Sequence, residues 1–371
     1  MKRQRWLGAV ILVLTPGLLL AAAWPAATTP RPAVLSAYHG SIHNHTGYSD
    51  GQGTPDLAFT TGRANGLEFM AITDHSETLD GTEWLDTLAQ ANSHTVPGTF
   101  IAMRGCEWSH STQGHVNVYG TDRRPVVQSY GYPYTDLVPT LADLYVWLSQ
   151  HPESWAEYNH PTYIPFDWTY VARAEGAMQL LEVGWGVGGN YRWDENKYVE
   201  ALDAGWRVAP TLSADTHTSN WGSDNPGRAG IWATELTTAG VMEALTAMRT
   251  FATEDGNLEL SLQCDGNWMG QRVLNDGALD CLVYVYDPDG EATANLALYT
   301  NGRNLVAQTT PPGNPYTWAV HVELGRASSY YFARAQQADG NRAVTAPIWA
   351  EDLTPPVHPT PQLHGKGPGQ P

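Results

Sequence analysis

The chain has 371 residues, 42% hydrophobic and 16% charged, enough apolar material for a buried core, which excludes a wholly disordered chain. Its 38 acidic and 20 basic residues give a formal charge of −18, and only Lys2, Lys197 and Lys366 are lysines. Such a chain has no electrostatic footprint for duplex nucleic acid, whereas its carboxylates suit cations, and the length allows two domains or one large one.

Lys2, Arg3 and Arg5 precede an uncharged stretch from Trp6 to Trp24 that contains Ala21-Ala22-Ala23. This predicts a secretory signal over residues 1–23, with a retained membrane anchor as the alternative. Either leaves the rest of the chain extracytoplasmic: secreted, periplasmic or on the cell surface. Residues 24–36 read as a linker rich in Pro, Thr and Ala.

From 37 to 255 short apolar runs alternate with helical stretches. Strands are predicted over Ser36–His43, Leu67–Thr73, Thr99–Glu107, His115–Tyr119, Met178–Val183 and Trp206–Ser213. Helices are predicted over Asp56–Ala64, Gly81–Ala91, Pro139–Gln150, Asp194–Ala204 and Val241–Thr250. Such alternation argues an α/β sheet or barrel. After Glu254-Asp255-Gly256 the pattern becomes one of short strands punctuated by Gly, Asp, Asn and Pro: Leu258–Gln263, Leu282–Tyr286, Ala294–Tyr299, Trp318–Leu324 and Tyr330–Ala335. Residues 256–351 therefore read as a small antiparallel β-sandwich. Residues 352–371 form a Pro-rich tail without a core. Of the three cysteines, Cys264 and Cys281 lie on neighbouring strands, as a disulfide or as two buried thiols.

Histidines and carboxylates gather at the ends of the predicted strands. His43 and His45, two apart on an extended chain, point to one face. Asp50 follows in a Ser-Asp-Gly turn; His75 ends the next strand and Glu107 the third; His115 opens another; His160 and the pair Asp215 and His217 close two more. In a βα barrel functional residues sit at the C-terminal ends of strands. One zinc ion needs three or four ligands, so these nine suit two or three divalent ions, and imidazole with carboxylate suits zinc, manganese or iron.

This series resembles the PHP (polymerase and histidinol phosphatase) metallohydrolases. The resemblance rests on His43-Asn44-His45-Thr46, Ser49-Asp50-Gly51, Ile72-Thr73-Asp74-His75, Gly105-Cys106-Glu107, His115, His160-Pro161 and Asp215-Thr216-His217. It covers residues 38–255 and implies a distorted (β/α)7 barrel with a three-metal centre. His43, His45, Glu107 and Asp215 would hold one ion, Glu107, His115 and His160 a second, and Asp50, His75 and His217 the third. Phe251-Ala252-Thr253-Glu254-Asp255-Gly256, Met269-Gly270 and Ala346-Pro347-Ile348-Trp349 resemble the carbaryl-hydrolase (CehA/McbA-type) branch, which joins such a barrel to a C-terminal β domain.

The resemblance implies a hydrolase of small-molecule esters, phosphoric esters first and carbamate or carboxylic esters second. A non-catalytic metal-storing or glycan-binding surface protein is the reading from another class. Two further residues are expected at the chemistry: Asp74 as an orienting partner of a metal-bound histidine, and Arg228 as a fork for phosphate or carboxylate. Arg104 is a weaker candidate of the same kind. Trp108, Trp185 and Trp221 are expected either in the core or along a substrate cleft.

Overall fold

The fold is taken from a computed structural model that describes residues 34–325 and 327–351. The expected signal or anchor segment, most of the linker and the Pro-rich tail lie outside the described residues. Among those described, no helix is long and apolar enough to cross a membrane.

Nine strands of one sheet position the histidines. They are β1 (Ser36–Ser41), β2 (Phe69–Ile72), β3 (Ile101–His110), β4 (Gly114–Tyr119), β5 (Trp155–Asn159), β6 (Met178–Trp185), β7 (Ala209–Ser213), β8 (Arg228–Ala233) and β9 (Thr250–Thr253). They lie in the order β7-β6-β5-β4-β3-β2-β1-β8-β9. Helix α1 (Pro55–Ala64) joins β1 to β2 and α2 (Gly81–His94) joins β2 to β3, and these three strands are parallel. Thr54 caps α1 by accepting from the Leu57 N–H, with Pro55 at the first helical position. Asp80 and Glu83 form a reciprocal capping box on α2. Helix α3 is Leu141–Gln150, α4 is Glu195–Asp203 and α5 is Thr238–Thr246.

The sheet departs from the (β/α)7 barrel that the resemblance implies: it is mixed and is not closed, β7 being one end of the hydrogen-bonded path. Only three residues separate β3 from β4, so they form an antiparallel hairpin, because a parallel return needs a crossover of a dozen residues or more. β4 pairs antiparallel with β5, and β1 with β8. The ends of β1 and β7 still meet: the His45 N–H donates to the Thr216 carbonyl at 2.9 Å, and Ile42 N–H to Ser213 Oγ at 3.0 Å.

Three other expectations need correction. β3 runs on through His110 instead of ending at Glu107; it pairs with β2 up to Arg104 and with β4 from Gly105, while Glu107 still bonds the chain just past β2, its N–H donating to the Asp74 carbonyl at 3.1 Å and its carbonyl accepting from Ser76 N–H at 2.8 Å. Helix α5 stops at Thr246, and Met248 with φ of 55° turns the chain into β9, which claims Thr250. β8 has no counterpart among the predicted strands, for its Gly230 is a weak strand former. That glycine is required, because a Cβ there would come within 2.1 Å of the Phe251 ring.

The C-terminal strands fall in two sheets and pair antiparallel, except that Arg272–Leu274 runs parallel to Ile348–Glu351. β10 (Glu259–Cys264), β11 (Ala278–Tyr286) and β14 (Tyr316–Glu323) belong to a four-stranded sheet. β12 (Thr293–Thr300), β13 (Asn304–Thr309), β15 (Ser329–Gln337) and β16 (Arg342–Thr345) continue the main sheet, where β16 pairs with β9 through Phe251 and Thr345. Cys264 and Cys281 face each other across β10 and β11 and are bonded. One core cluster runs from Phe69 and Ile101 of the main sheet to Leu262 and Val283 of the second.

Candidate metal centre

The site is built at the C-terminal ends of the parallel strands. β4 and β5 run opposite ways, so the start of β4 and the end of β5 also lie there, with His115 paired to Asn159. Just past β1, Asn44 turns its side chain away, donating to the Ala71 carbonyl at 2.9 Å. His43 and His45, on either side of it, bring their Nε2 atoms to 3.2 Å. Two residues of the site, His160 and Asp215, have positive φ, 30° and 52°, a conformation that costs free energy outside glycine and clusters at functional sites.

Glu107, buried on β3, is the hub. Oε1 lies 3.2 Å from His115 Nδ1, 3.2 Å from His160 Nε2 and 3.4 Å from His43 Nε2. Oε2 lies 2.8 Å from His75 Nδ1 and 3.6 Å from His45 Nε2. Asp50, on the loop after β1, is the outer hub, with Oδ1 at 3.2 Å from His217 Nε2, 3.5 Å from His75 Nε2 and 3.7 Å from His45 Nδ1. Asp215 Oδ1 lies 3.1 and 3.2 Å from the Nε2 atoms of His43 and His45. All nine expected ligands thus meet in one place. Eight of them fall into three overlapping groups with ligand atoms within 4.8 Å of one another: His45, Asp50, His75 and His217; His43, His45 and Asp215; His43, Glu107 and His160; His115 joins only through Glu107. His45 and His217 also stack, ring centroids 4.2 Å apart.

The outer ring nitrogens fix which lone pairs face inward. His43 Nδ1 sits 2.8 Å from Glu182 Oε1 and gives it the Nδ1 proton. Ser49 Oγ donates to Asp74 Oδ1 at 2.6 Å and so accepts from His45 Nδ1 at 3.2 Å. In their neutral forms both histidines then turn an Nε2 lone pair toward the other and toward the Asp215 carboxylate, an arrangement that needs a proton or a cation between them. Three buried atoms, His115 Nδ1, His160 Nδ1 and Asp215 Oδ1, have no hydrogen-bond partner, and buried polar atoms are rarely left so. The donors therefore fit divalent metal ions.

Without an ion, protons take that place. Burial alone would lower the His43 pKa, but Asp215, Glu182 and Glu107 outweigh it and raise it well above the usual value. Burial also opposes the charge on His75, yet Glu107 and Asp50 carry it up to about 11. His45 is lowered, burial prevailing over Asp215 and Glu107. Asp50 is held well below the carboxylate range by hydrogen bonds from His217 and His75. Burial favours neutral Glu107, but His115, His75 and His43 keep it ionised.

Asp74 does not touch His75. It accepts from Thr46 N–H, Thr46 Oγ1 and Ser49 Oγ at 2.6–2.7 Å and so steadies His45 through Ser49. Arg228 donates from Nη1 to the carbonyls of Asn225 and Gly227 and from Nη2 to that of Gly222, at 2.8–2.9 Å, and among the described residues it pairs with none of the nine expected ligands. Arg104 is likewise held by Trp84, Thr121 and Asp122. Trp108 is core, and Trp221 props the His45 carbonyl through Nε1 at 3.1 Å. Trp185 borders the site, 5.4 Å from the His160 ring.

Sequence reasoning passes over Glu182, Asn159, Ser109 and Tyr163. Glu182 receives the His160 N–H at 2.7 Å as well as His43. Its signal is a lone carboxylate in the apolar run Leu180-Leu181-Glu182-Val183. Asn159 Nδ2 donates to Glu107 at 2.8 Å, and Ser109 Oγ is 2.6 Å from His75 Nδ1. Tyr163, mostly exposed, stands edge-on to His160 and His115, centroids 5.5 and 6.4 Å apart. Neither the asparagine, the serine nor the tyrosine is distinctive in the sequence.

No protein-family model and no curated protein matches the chain. Solved structures that resemble it include a two-domain protein from Bacteroides vulgatus containing a predicted PHP-like metal-dependent phosphoesterase (16% identity over 84% of this chain and 95% of that one, TM-score 0.46). A lesion-specific endonuclease from Pyrococcus furiosus is 13% identical over 57% and 56% of the two chains, TM-score 0.40. An amidohydrolase from Chromobacterium violaceum is 15% identical over 48% and 87%, TM-score 0.34.

Proposed function

We propose that the chain is a metal-dependent hydrolase of ester bonds, working at a centre of two or three divalent ions, with phosphoric esters as its substrates. The observation that carries this reading is the convergence of His43, His45 and Asp215 on a point where their lone pairs face one another unrelieved. His43, His45, Glu107 and Asp215 would hold one ion, Glu107, His115 and His160 a second, and Asp50, His75 and His217 the third. Bound there, the ions would acidify water and stabilise charge on the oxygen that gains it, and a centre of several ions suits in-line displacement at phosphorus.

The chain's own residues prepare that chemistry. Glu182 and Ser49 keep the Nδ1 protons of His43 and His45 outward, so both rings present Nε2 to the centre. Asn159 fixes the Glu107 carboxylate between the two sides of the site. His217 and Asp50 form the solvent-exposed rim, where substrate enters, and Tyr163 and Trp185 give one wall an aromatic surface.

A second reading, hydrolysis of carbamate or carboxylic esters as in the CehA/McbA-type branch, is favoured by one observation. Arg228 is committed to carbonyls, and among the described residues no lysine or arginine pairs with Asp50, Glu107 or Asp215, whereas polyanionic substrates are commonly met by positive charge. Export is proposed from the N-terminal pattern, and the bond between Cys264 and Cys281 is in keeping with an oxidising compartment.

The test is hydrolysis by the purified chain from residue 24 onward, loaded with manganese or zinc, of a p-nitrophenyl phosphate ester and of an aryl methylcarbamate. Turnover of the phosphate, lost in His75→Ala with the fold intact, is the expected result. Turnover of the carbamate alone would give the second reading its place. Firm metal binding without turnover of either would favour a storage protein.

A further inference from the structure

A cavity of about 330 Å³ lies between α2, α5 and the ends of β3, β4 and β5 that point away from the histidines. Tyr119 and Trp155, paired across β4 and β5, stand at this end of the two strands, and His115 and Asn159, paired likewise, stand at the other. None of the nine expected metal ligands lines the cavity. Its volume is within the range in which small molecules are bound, about 300–1,000 Å³.

Trp155, on the cavity wall, is 3% exposed, and its Nε1 has no hydrogen-bond partner. A buried indole N–H ordinarily finds one. Gly120, also on the wall and with φ of 74°, has no side chain to cover that N–H: a Cβ there would lie 3.4 Å from Trp155 Nε1 and 2.6 Å from the Glu153 carbonyl. The indole is held against the Tyr119 ring, centroids 4.1 Å apart and planes 17° apart, which fixes the direction of the N–H. An acceptor for it has to come from within the cavity.

The rest of the wall says what kind of molecule carries that acceptor. Ala91, Ala102, Met103 and Met242 are small or soft, and thioethers pack favourably on aromatic rings. The two arginines on the wall each pair with an aspartate, Arg104 with Asp122 and Arg123 with Asp136, and Glu153 adds a further negative charge. The lining therefore has no excess of positive charge to hold an anion.

We propose that this cavity is a second binding site, separate from the histidine centre, for a small, flat, uncharged heteroaromatic molecule that accepts a hydrogen bond from Trp155 Nε1. The aromatic body packs on Met103 and Met242, and the acceptor on its edge completes the indole N–H.

The test is titration of oxindole into the full chain, its histidine centre first loaded with zinc, followed by saturation-transfer NMR of the probe. Oxindole is flat and uncharged and carries a carbonyl acceptor; indole has the same two-ring frame without an acceptor, and indole-2-carboxylate adds a negative charge. Saturable binding of oxindole is expected, with Kd of about 10⁻⁴–10⁻³ M for a probe of this size, and weaker binding of indole and of the carboxylate. Trp155→Phe keeps the ring and removes the N–H; it should weaken oxindole about three- to tenfold, the worth of one hydrogen bond, and leave indole unchanged. Asn92→Trp, at an exposed position on the cavity wall, should block both probes, and it carries the comparison should Trp155→Phe fail to fold by circular dichroism. His75→Ala should leave oxindole binding as it is. The proposal is overturned by the absence of saturable oxindole binding up to about 5 mM, by indole or the carboxylate binding as tightly as oxindole, or by binding that survives Asn92→Trp or vanishes in His75→Ala.

Discussion

Glu182 fixes the tautomer of His43 through Nδ1 at 2.8 Å and the backbone of His160 at 2.7 Å, so one carboxylate orients two of the expected ligands. Glu182→Gln keeps the shape but offers an amide in place of one carboxylate oxygen. The expected outcome is a 10–100-fold loss of metal affinity or turnover, about the range for partners of this kind, read from metal content and initial rates. The protons held by the metal-free site lead to a second expectation. A His75 pKa of about 11 lies above the usual 6.5, so its protonated pairing with Glu107 and Asp50 stabilises the metal-free fold fully below pH 6.5 and is lost as pH rises toward 11. Metal ligation needs the neutral ring, so loading near pH 7 should release protons and the apparent affinity should rise with pH. Titrations in two buffers of different ionisation enthalpy measure this, and equal heats in both would contradict it.

At the scale of elements, β8 and β9 depend on Gly230. Its missing Cβ admits the Phe251 ring, which a methyl group would meet at 2.1 Å. Gly230→Ala should destabilise the chain by about 1–3 kcal/mol, the ordinary cost of overpacking, seen as a lower midpoint in urea. The same strands mark where the sequence reads poorly. Elements with clear periodicity and caps, such as α1 behind Thr54 and Pro55 or α2 behind Asp80, are legible within a few residues. β8 is not, because a glycine required by a distant phenylalanine looks like a break. The β3–β4 hairpin departs from a parallel barrel because the gap between the two strands is too short for a crossover, a constraint of chain length and not of residue pattern. The convergence of the histidines and carboxylates is legible because imidazole and carboxylate gathered at strand ends have few other uses. Their orienting partners Ser49, Ser109 and Asn159 are common residues whose role exists only once the strands are paired. Arg228 shows the converse: a position close in sequence to Asp215 and His217 says nothing of where its guanidinium points.

At the scale of the molecule, the Cys264–Cys281 bond closes a short loop across β10 and β11 at the foot of a core shared by both sheets. Cys281→Ser should cost about 3 kcal/mol in a loop of this size. The loss should vanish when wild type and variant are compared under reducing conditions, measured by chemical denaturation. The join between β9 and β16 has a different consequence. The change of sequence pattern after Glu254 marks a change in the kind of strand, but the hydrogen-bonded ladder runs straight through it. A chain severed there would present Thr250–Thr253 as a bare rim of amide and carbonyl groups, ready to template other chains. Autonomy of the two halves is therefore not implied by their different compositions: the β strands act as the selvedge of the sheet that carries the histidines, and the two parts should melt together as a single cooperative unit.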